Sequence, residues 1–337
     1  MRRLLAWLGP APDWAPGLVL ILIAAVLPAL LSSEYVLLAA SMIVTMLLGV
    51  SFNLLFGYAG MFSFGQSAFY GLGAYVTVLV LNNSGVGFYV ALLAGICAAA
   101  LVAAFSGAVL VRLEPIAFIM LTFALADLFE FAANHAHTLT GGDSGMIANL
   151  PESLNVILGV NRVYYAILIV AVVVLAGAFA FVRSRLGLLL RAIREDALRA
   201  RTLGIAVDRR RLGVFTLAAA VAAAGGGLSV LSAQIVYPSV FAWQVSANAL
   251  IVTLLGGVGL FSGPALGAVL LGLIDFYVGR LTTNTLLIDG VVLLAVVLIA
   301  PRGVGAAGRG ALPGAPRALL RRVRARAAGV RRAGAPG

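Results

Sequence analysis

Lysine is absent from this sequence of 337 residues, so all 23 of its basic side chains belong to arginine. Without lysine the chain cannot contain a P-loop, because the G-x-x-x-x-G-K-[ST] motif places its lysine on the nucleotide phosphates. The chain also cannot form a Schiff base through a lysine amine. Its one cysteine, Cys97, excludes an internal disulfide and a metal site built from cysteines.

Charge of either sign is scarce, since charged residues make up 10% of the chain against roughly 25% in soluble domains. Hydrophobic residues reach 62%, and the mean hydropathy is +1.09. A soluble globule has too little interior to hide so much apolar surface. The composition therefore predicts an integral membrane protein, an all-α polytopic bundle of membrane-spanning helices.

Ten apolar runs have the length expected for membrane-spanning helices, which need about 20 residues each. They lie at 17–32, 36–56, 62–81, 88–111, 116–133, 163–182, 213–233, 247–260, 264–279 and 286–300. The last three are short and rich in glycine, which is typical of broken or re-entrant segments. We therefore predict a transmembrane domain over 1–300 with about ten helices, eight or nine being the alternatives.

The arginines are distributed unevenly between the two sides of such a bundle. With ten spans, 21 of the 23 arginines share one side, and only Arg162 and Arg280 lie opposite. The positive-inside rule then predicts a cytoplasmic N-terminus and a cytoplasmic C-terminus. The confinement of the +11 net charge to loops and one tail between apolar runs argues against nucleic-acid binding.

Three segments extend beyond the predicted membrane. They are a basic cytoplasmic loop at 183–212, a polar periplasmic loop at 134–162, and an arginine-rich tail at 301–337. We expect the tail to be mostly disordered and held near anionic lipid. Within the cytoplasmic loop, Leu190, Ile193, Ala197 and Ala200 recur with helical spacing, and Gly204 is placed to end that helix. Such a helix can dock in a partner's groove or lie on the lipid surface.

Two glycine motifs with the pattern G-x-x-G-x-F-S occur at the predicted inner ends of spans. The first runs from Gly57 to Ser63 and is followed by Gln66, and the second starts at Gly256. Breaks at such motifs can expose backbone carbonyls to a permeant, and the two polar side chains could line its path or hydrogen bond between helices. The path and helix-break candidates are Gly57, Gly60, Ser63, Gly65, Gln66, Gly256, Gly257, Gly259, Gly263 and Pro264.

Acidic residues in the spans are candidates for ion coupling. Asp127 and Glu130 are three residues apart near the outer end of the fifth span, so they share a helix face. An intramembrane carboxylate is costly and is a functional candidate by default. One hypothesis is therefore an ion-coupled secondary transporter that uses this pair; the other is a pair of acids solvated at the membrane interface or paired between helices. The sequence shows no catalytic or metal-ligand arrangement that predicts an enzyme.

Four patches, in order along the chain, resemble the signatures of the permeases of branched-chain amino acid ABC importers, of the LivM-like kind. The first comprises Asn53-Leu-Leu-Phe-Gly57-Tyr58-Ala-Gly60, Ser63, Gly65, Phe69 and Gly73-Ala-Tyr75. The second, in the periplasmic loop, comprises Thr140-Gly141-Gly142-Asp143-Ser-Gly145. The third, in the cytoplasmic loop, comprises Ser184-Arg-Leu-Gly187, Arg191-Ala-Ile-Arg194-Glu195 and Leu203-Gly204-Ile205. The fourth comprises Gly256-Gly257-Val-Gly259 and Gly263-Pro264-Ala-Leu-Gly267-Ala268.

The resemblance implies a bacterial inner-membrane importer, in which this chain is one permease subunit. A periplasmic binding protein delivers the solute, a second, homologous permease completes the path, and two cytoplasmic ATPases drive transport. The chain itself then needs no cofactor, because ATP and Mg²⁺ bind to the ATPases. The expected solutes are branched-chain amino acids or related small neutral molecules, such as amides or urea.

In that family the cytoplasmic loop docks on an ATPase, which favours docking over the lipid surface for residues 183–212. The coupling residues implied by the resemblance are Arg191, Arg194, Glu195, Ala200 and Gly204.

Overall fold

The structure, a computed structural model, describes residues 24–28, 32–151, 154–278 and 290, and these are predominantly α-helical. The longer helices are α1 (Ser33–Asn53), α2 (Gln66–Ser84), α3 (Phe88–Leu110), α4 (Pro115–His135), α6 (Val156–Arg183), α7 (Arg185–Glu195), α9 (Val207–Ala233), α10 (Trp243–Gly256) and α11 (Gly263–Val278). Two short helices are α5 (His137–Thr140) and α8 (Ala197–Thr202). A π-helical turn, Leu54–Ala59, extends α1.

Five helical segments are long and apolar enough to cross a membrane. They are Ser33–Ala59, Phe88–Leu110, Pro115–His135, Gly159–Arg183 and Val207–Ala233. Helices α10 and α11 are apolar but shorter. The chain is thus a multi-pass helical bundle. The first and tenth predicted spans fall largely outside the described residues, and the tail 301–337 falls wholly outside them, so the count of ten and the orientation stay predictions.

Several predicted boundaries are wrong. The third span begins at Gln66 rather than at residue 62, because Gly60 has a φ of +70° and ends the preceding π-turn. Helix α6 begins at Val156, inside the predicted loop 134–162, and is kinked at Gly159, where its membrane-spanning part starts. That loop also contains strand β1 (Met146–Ile147), which pairs antiparallel with β2 (Ile235–Val236). The described residues are therefore not purely α-helical as predicted, because they include this two-stranded sheet.

Helix α9 runs through the middle of the bundle and packs on α1, α2, α3 and α6. Its small buried residues allow close approach of neighbouring backbones, as is typical of membrane helix pairs. A Cβ on Gly226 would overlap the carbonyl oxygen of Tyr70, and a Cβ on Gly73 would overlap that of Ala223. Glycine at these two positions therefore sets the spacing between α2 and α9.

The helix ends form two clusters, which we call the arginine-rich end and the opposite end. At the arginine-rich end, α7 lies beside the π-turn and the α10–α11 connection, residues 257–262, and α8 packs on α7 and α9. At the opposite end the β1–β2 pair joins the α4–α6 connection to the end of α9, and Asn82 of α2 hydrogen bonds the Ile147 carbonyl over 2.9 Å. The functional candidates divide between these two ends.

Candidate functional site

Residues 185–204, to which the resemblance assigns ATPase coupling, are called the coupling segment here. They form two helices rather than the one predicted. Asp196 separates α7 from α8 with extended backbone angles, φ −156° and ψ 98°. Its carboxylate accepts a hydrogen bond of 2.9 Å from the Arg199 amide, so it caps the start of α8. The prediction of a single helix did not detect this break, because the apolar residues keep helical spacing on both sides of it: Leu190, Ile193, Ala197 and Ala200.

The predicted helix end at Gly204 is confirmed. Gly204 has a φ of +80°, and its amide donates to the Arg201 carbonyl over 3.0 Å. The Ile205 amide donates to the Ala200 carbonyl over 3.1 Å, which completes a Schellman motif. Glycine adopts this left-handed conformation without the Cβ penalty that other residues meet.

The apolar stripe of the coupling segment faces its own bundle rather than a partner. Leu190, Ile193 and Ala200 are buried, and the latter two form one cluster with Val207. Ala200, which is 4% exposed, packs within this cluster, and its coupling role stays a prediction. Leu198 and Leu203, each 75% exposed, lie on the outer surface instead. Sequence reasoning did not single out these two leucines, because they lie outside the regular apolar stripe.

Helix α7 contacts the π-turn at the end of α1 directly. The Arg194 guanidinium donates a hydrogen bond to the Gly57 carbonyl in the π-turn. The Arg191 guanidinium lies over the Tyr58 ring, 5.2 Å from its centroid, in a cation–π arrangement. Gly60 leaves room for α7, since a Cβ there would lie 3.0 Å from Arg194 Cγ. Glu195 is exposed on α7.

The two glycine motifs meet in space. A Cβ on Gly57 would lie 2.8 Å from the Gly259 amide nitrogen. The Asn53 side chain bridges the two segments: its Oδ1 accepts from the Gly259 amide over 2.9 Å, and its Nδ2 donates to the Leu260 carbonyl over 2.8 Å. The second motif is compact, because a Cβ on Gly256 would overlap the Gly263 carbonyl and Gly257 has a φ of +111°. Pro264 opens α11 against Gly49 of α1.

The break between the π-turn and α2 is held by side chains from distant helices. The Phe64 amide donates to the Thr122 hydroxyl over 3.3 Å, and the Phe64 carbonyl accepts from the Ser246 hydroxyl over 2.5 Å. The Gly65 amide bonds the Ser63 hydroxyl over 3.1 Å. The backbone freed by the break is therefore satisfied inside the protein, as a membrane interior requires.

Ser63 and Gln66 are fully buried in the described structure. The Gln66 amide contacts the Ser51 hydroxyl on α1, which in turn lies 2.7 Å from the Ala218 carbonyl on α9. The Gln66 Nε2 atom has no hydrogen-bond partner among the described residues. Of the two roles considered for this side chain, its one partner fits interhelical bonding better than exposure to a permeant.

Sequence reasoning gave no role to four polar residues of this region, of which only Asn53 fell within a recognised patch: Ser51, Asn53, Thr122 and Ser246. Each is fully or almost fully buried and hydrogen bonds across helices. The available signal was an isolated polar residue within an apolar run, which membrane helices use for interhelical contacts.

The glycine-rich turn at the opposite end is built around Thr140. Its hydroxyl lies 2.6 Å from the Ala133 carbonyl and 2.8 Å from the Ala136 carbonyl, so it closes the end of α4. Gly141, Gly142 and Gly145 all have positive φ, and a Cβ on Gly145 would lie 2.5 Å from the Val236 carbonyl. Asp143 is exposed at the tip. The turn therefore presents a fixed polar surface beside the β1–β2 pair.

The acidic pair considered for ion coupling lies at the edge of the bundle. Asp127 is exposed and Glu130 is partly exposed on α4, a helix with few buried residues. Within the described ranges, no group of three or more His, Cys, Asp and Glu residues could hold a metal ion. The His135 ring stacks on Phe131, with centroids 3.9 Å apart.

A groove of about 290 Å³ lies between α1, α2 and the segment that leads into α10. Its polar lining is neutral and comes from Thr45, Tyr70, Ser239 and Asn248. Leu48, Val240 and Val245 supply an apolar wall. Such a lining suits a small molecule with apolar and hydrogen-bonding parts.

Comparison with known proteins gives one family. A family model described as branched-chain amino acid transport system / permease component matches residues 34–301. The chain is 27% identical over 315 residues to the LivM permease protein of the high-affinity branched-chain amino acid transport system of Salmonella typhimurium, a match that covers 85% of this chain and 73% of LivM. Identity to Escherichia coli LivM is 26% over 313 residues with the same coverage. No solved structure matches.

Proposed function

The chain belongs to the permease family of branched-chain amino acid transport systems, and we propose that it is one permease subunit of an ATP-driven importer in the bacterial inner membrane. The observation that carries this mechanism is the bond from Arg194 of α7 to the Gly57 carbonyl. It connects an exposed helical segment to the place where the first long described span is interrupted. A motor that moves α7 and α8 would thereby move the end of that span.

The exposed surface of the coupling segment supports an ATPase as that motor. Leu198 and Leu203 project from α8 and its end, and Arg201, which pairs with Asp208 over 2.9 Å, lies between them in sequence. An apolar anchor with a charged rim is typical of a protein interface. Two ATPase subunits, which bind ATP and Mg²⁺, would dock here and on the equivalent segment of a homologous second permease.

The opposite end supports delivery by a periplasmic binding protein. The turn from Thr140 to Gly145 is held rigidly by side-chain and backbone hydrogen bonds. A rigid polar surface binds a partner without the entropic cost of ordering a loop. We assign this turn to docking of the binding protein.

The neutral groove between α1 and α2 supports the substrate class. None of its described lining residues is charged, so a solute with fixed net charge would lose hydration without gaining an ion pair. Branched-chain amino acids carry no net charge and have an apolar side chain that suits Leu48, Val240 and Val245. Amides and urea are smaller neutral solutes that the same lining would admit.

Uptake of radiolabelled leucine into proteoliposomes tests the proposal. The vesicles would contain this chain, the second permease, both ATPases and the loaded binding protein. ATP on the side of the ATPases is expected to drive uptake, and ADP is not. Ion-gradient-driven uptake by this chain alone, through Asp127 and Glu130, would overturn the proposal in favour of a secondary transporter.

A further inference from the structure

We propose that Asn53 is a positioning residue that clasps the two glycine segments, residues 57–60 and 256–260, so that α7 moves them as one unit. The inference rests on the proposed function, because it concerns how motion passes from the coupling segment into the membrane. It adds a residue from the last turn of α1 to that pathway. The contacts of one buried amide carry the argument.

Asn53 makes two hydrogen bonds to backbone more than 200 positions away in sequence. Its Oδ1 accepts from the Gly259 amide over 2.9 Å, and its Nδ2 donates to the Leu260 carbonyl over 2.8 Å. The residue is 1% exposed, so water does not compete for either bond. The side chain thus bonds one backbone donor and one backbone acceptor, on two adjacent residues.

A carboxamide is required for this pairing. Aspartate could accept from Gly259 but could not donate to Leu260, and leucine, of similar volume, could do neither. Gly57 reflects the same constraint, since a Cβ there would overlap Asn53 Oδ1. The first motif therefore leaves a space that the Asn53 side chain fills.

The clasp lies one turn before the atom that α7 holds. Arg194 donates to the Gly57 carbonyl, and its Nη1 would lie 3.4 Å from a Cβ built on Gly259. A displacement of α7 therefore reaches the π-turn through Arg194. Asn53 passes that displacement to residues 259–260, directly before α11 begins at Gly263. Without the clasp, the displacement would reach residues 259–260 only through the packing of Gly57 on Gly259.

A purely structural role would make Asn53 equivalent to other polar bridges between the same helices. Thr253 offers this comparison, because its buried hydroxyl lies 3.0 Å from the Gly49 carbonyl on α1 and 2.8 Å from the Ala249 carbonyl. Its side chain joins α10 to α1 and bonds neither glycine segment; only its backbone carbonyl accepts from the Gly257 amide, a bond that a side-chain substitution leaves in place. Thr253→Val therefore removes a bridge of the same helix pair and leaves the clasp intact.

The experiment measures uptake and ATP hydrolysis together in the reconstituted full complex with Asn53→Leu, Asn53→Asp or Thr253→Val. We expect solute imported per ATP to fall about tenfold in Asn53→Leu, the effect of losing two buried hydrogen bonds. Asn53→Asp, which keeps the acceptor, should give a smaller loss, and Thr253→Val should retain wild-type coupling. Wild-type coupling in Asn53→Leu, or an equal loss in Thr253→Val, contradicts the proposal.

Amide hydrogen exchange in the purified chain supplies a readout that does not depend on transport. The Gly259 amide should be protected in the wild type, in Thr253→Val and in Asn53→Asp, which keeps the acceptor, and should exchange markedly faster in Asn53→Leu. Unchanged protection in Asn53→Leu overturns the clasp. Failure of the wild-type complex to import with ATP overturns the proposed function instead, so the two failures are distinguishable.

Discussion

The Arg194 guanidinium donates a hydrogen bond to the Gly57 carbonyl across 137 positions of sequence. The acceptor lies in a π-turn, where backbone carbonyls depart from the regular α-helical pairing and often serve function. The bond joins the exposed α7 to an interrupted membrane helix. It supplies a physical route by which an event outside the bundle reaches its interior.

Removal of the Arg194 guanidinium should uncouple transport. Arg194→Gln replaces a charged donor to a part-buried carbonyl, and such bonds contribute about 1.5–3 kcal/mol. We expect uptake per ATP to fall about tenfold while ATP hydrolysis continues. Assays of both activities in one proteoliposome preparation measure the ratio.

Arg199→Gln is the matched control for that variant. Arg199 lies on α8, its side chain is 79% exposed, and its pair with Asp196 spans 3.6 Å. Exposed pairs of this kind contribute little to stability, so the variant should fold normally. A loss in Arg199→Gln alone, with Arg194→Gln at wild-type coupling, would place transmission at the outer surface rather than at Gly57.

Proline at position 204 should separate ATP hydrolysis from uptake. Gly204 has a φ of +80° and donates its amide to Arg201, and proline permits neither. The end of α8, with Leu203, should then lose its orientation while the membrane helices remain folded. Asparagine tolerates the left-handed conformation better than most residues, so Gly204→Asn should transport nearly normally. Normal coupled uptake in Gly204→Pro would contradict the coupling role of this segment.

The crossing of α2 and α9 should be intolerant of a single methyl group. A Cβ on Gly73 would overlap backbone of Ala223, which cannot rotate away. Overpacking of this kind costs about 1–3 kcal/mol, so Gly73→Ala should lower the melting temperature in detergent. Gly177→Ala on α6 is the control, since nothing lies within 4 Å of that position. Equal melting temperatures for the two variants would refute the close helix contact.

Loss of the Thr140 hydroxyl should weaken the response to the binding protein. Thr140→Val removes the group that lies 2.6 and 2.8 Å from two carbonyls at the end of α4. We expect the binding-protein concentration for half-maximal ATPase stimulation to rise, because the docking turn becomes less ordered. Ser106→Ala, which removes one bond to the preceding turn of α3, should leave that concentration unchanged. The reverse order of effects would argue against docking at Thr140.

The broad architecture could be predicted from the sequence because a helix must have a long apolar run to cross the hydrocarbon core of a membrane. The end of α8 was also predictable, since Gly204 has a local conformational signature. The break at Asp196 was not, because one capping side chain interrupts a stripe whose periodicity continues. Nor did sequence show that this stripe faces the bundle, since periodicity identifies a face but not its neighbour.

The candidate site was predictable only where its residues leave a local signature in the sequence. Two similar glycine motifs indicated backbone breaks, but their mutual contact depends on Asn53 and on tertiary packing between α1 and α10. Gln66 illustrates the limit of residue type as a guide. A glutamine in a membrane span fits a permeation path and an interhelical bond equally well, and only its burial against Ser51 distinguishes them.

Accessibility of α8 in intact cells tests the central claim most directly. In a Cys97→Ala background, Leu198→Cys on α8 and Leu139→Cys at the opposite end give two exposed reporters, 75% and 62% exposed as leucines. A membrane-impermeant maleimide added to spheroplasts should label position 139 and spare position 198, and inverted vesicles should show the reverse. Labelling of position 198 from outside would contradict the account, because a cytoplasmic ATPase could not then reach the coupling segment.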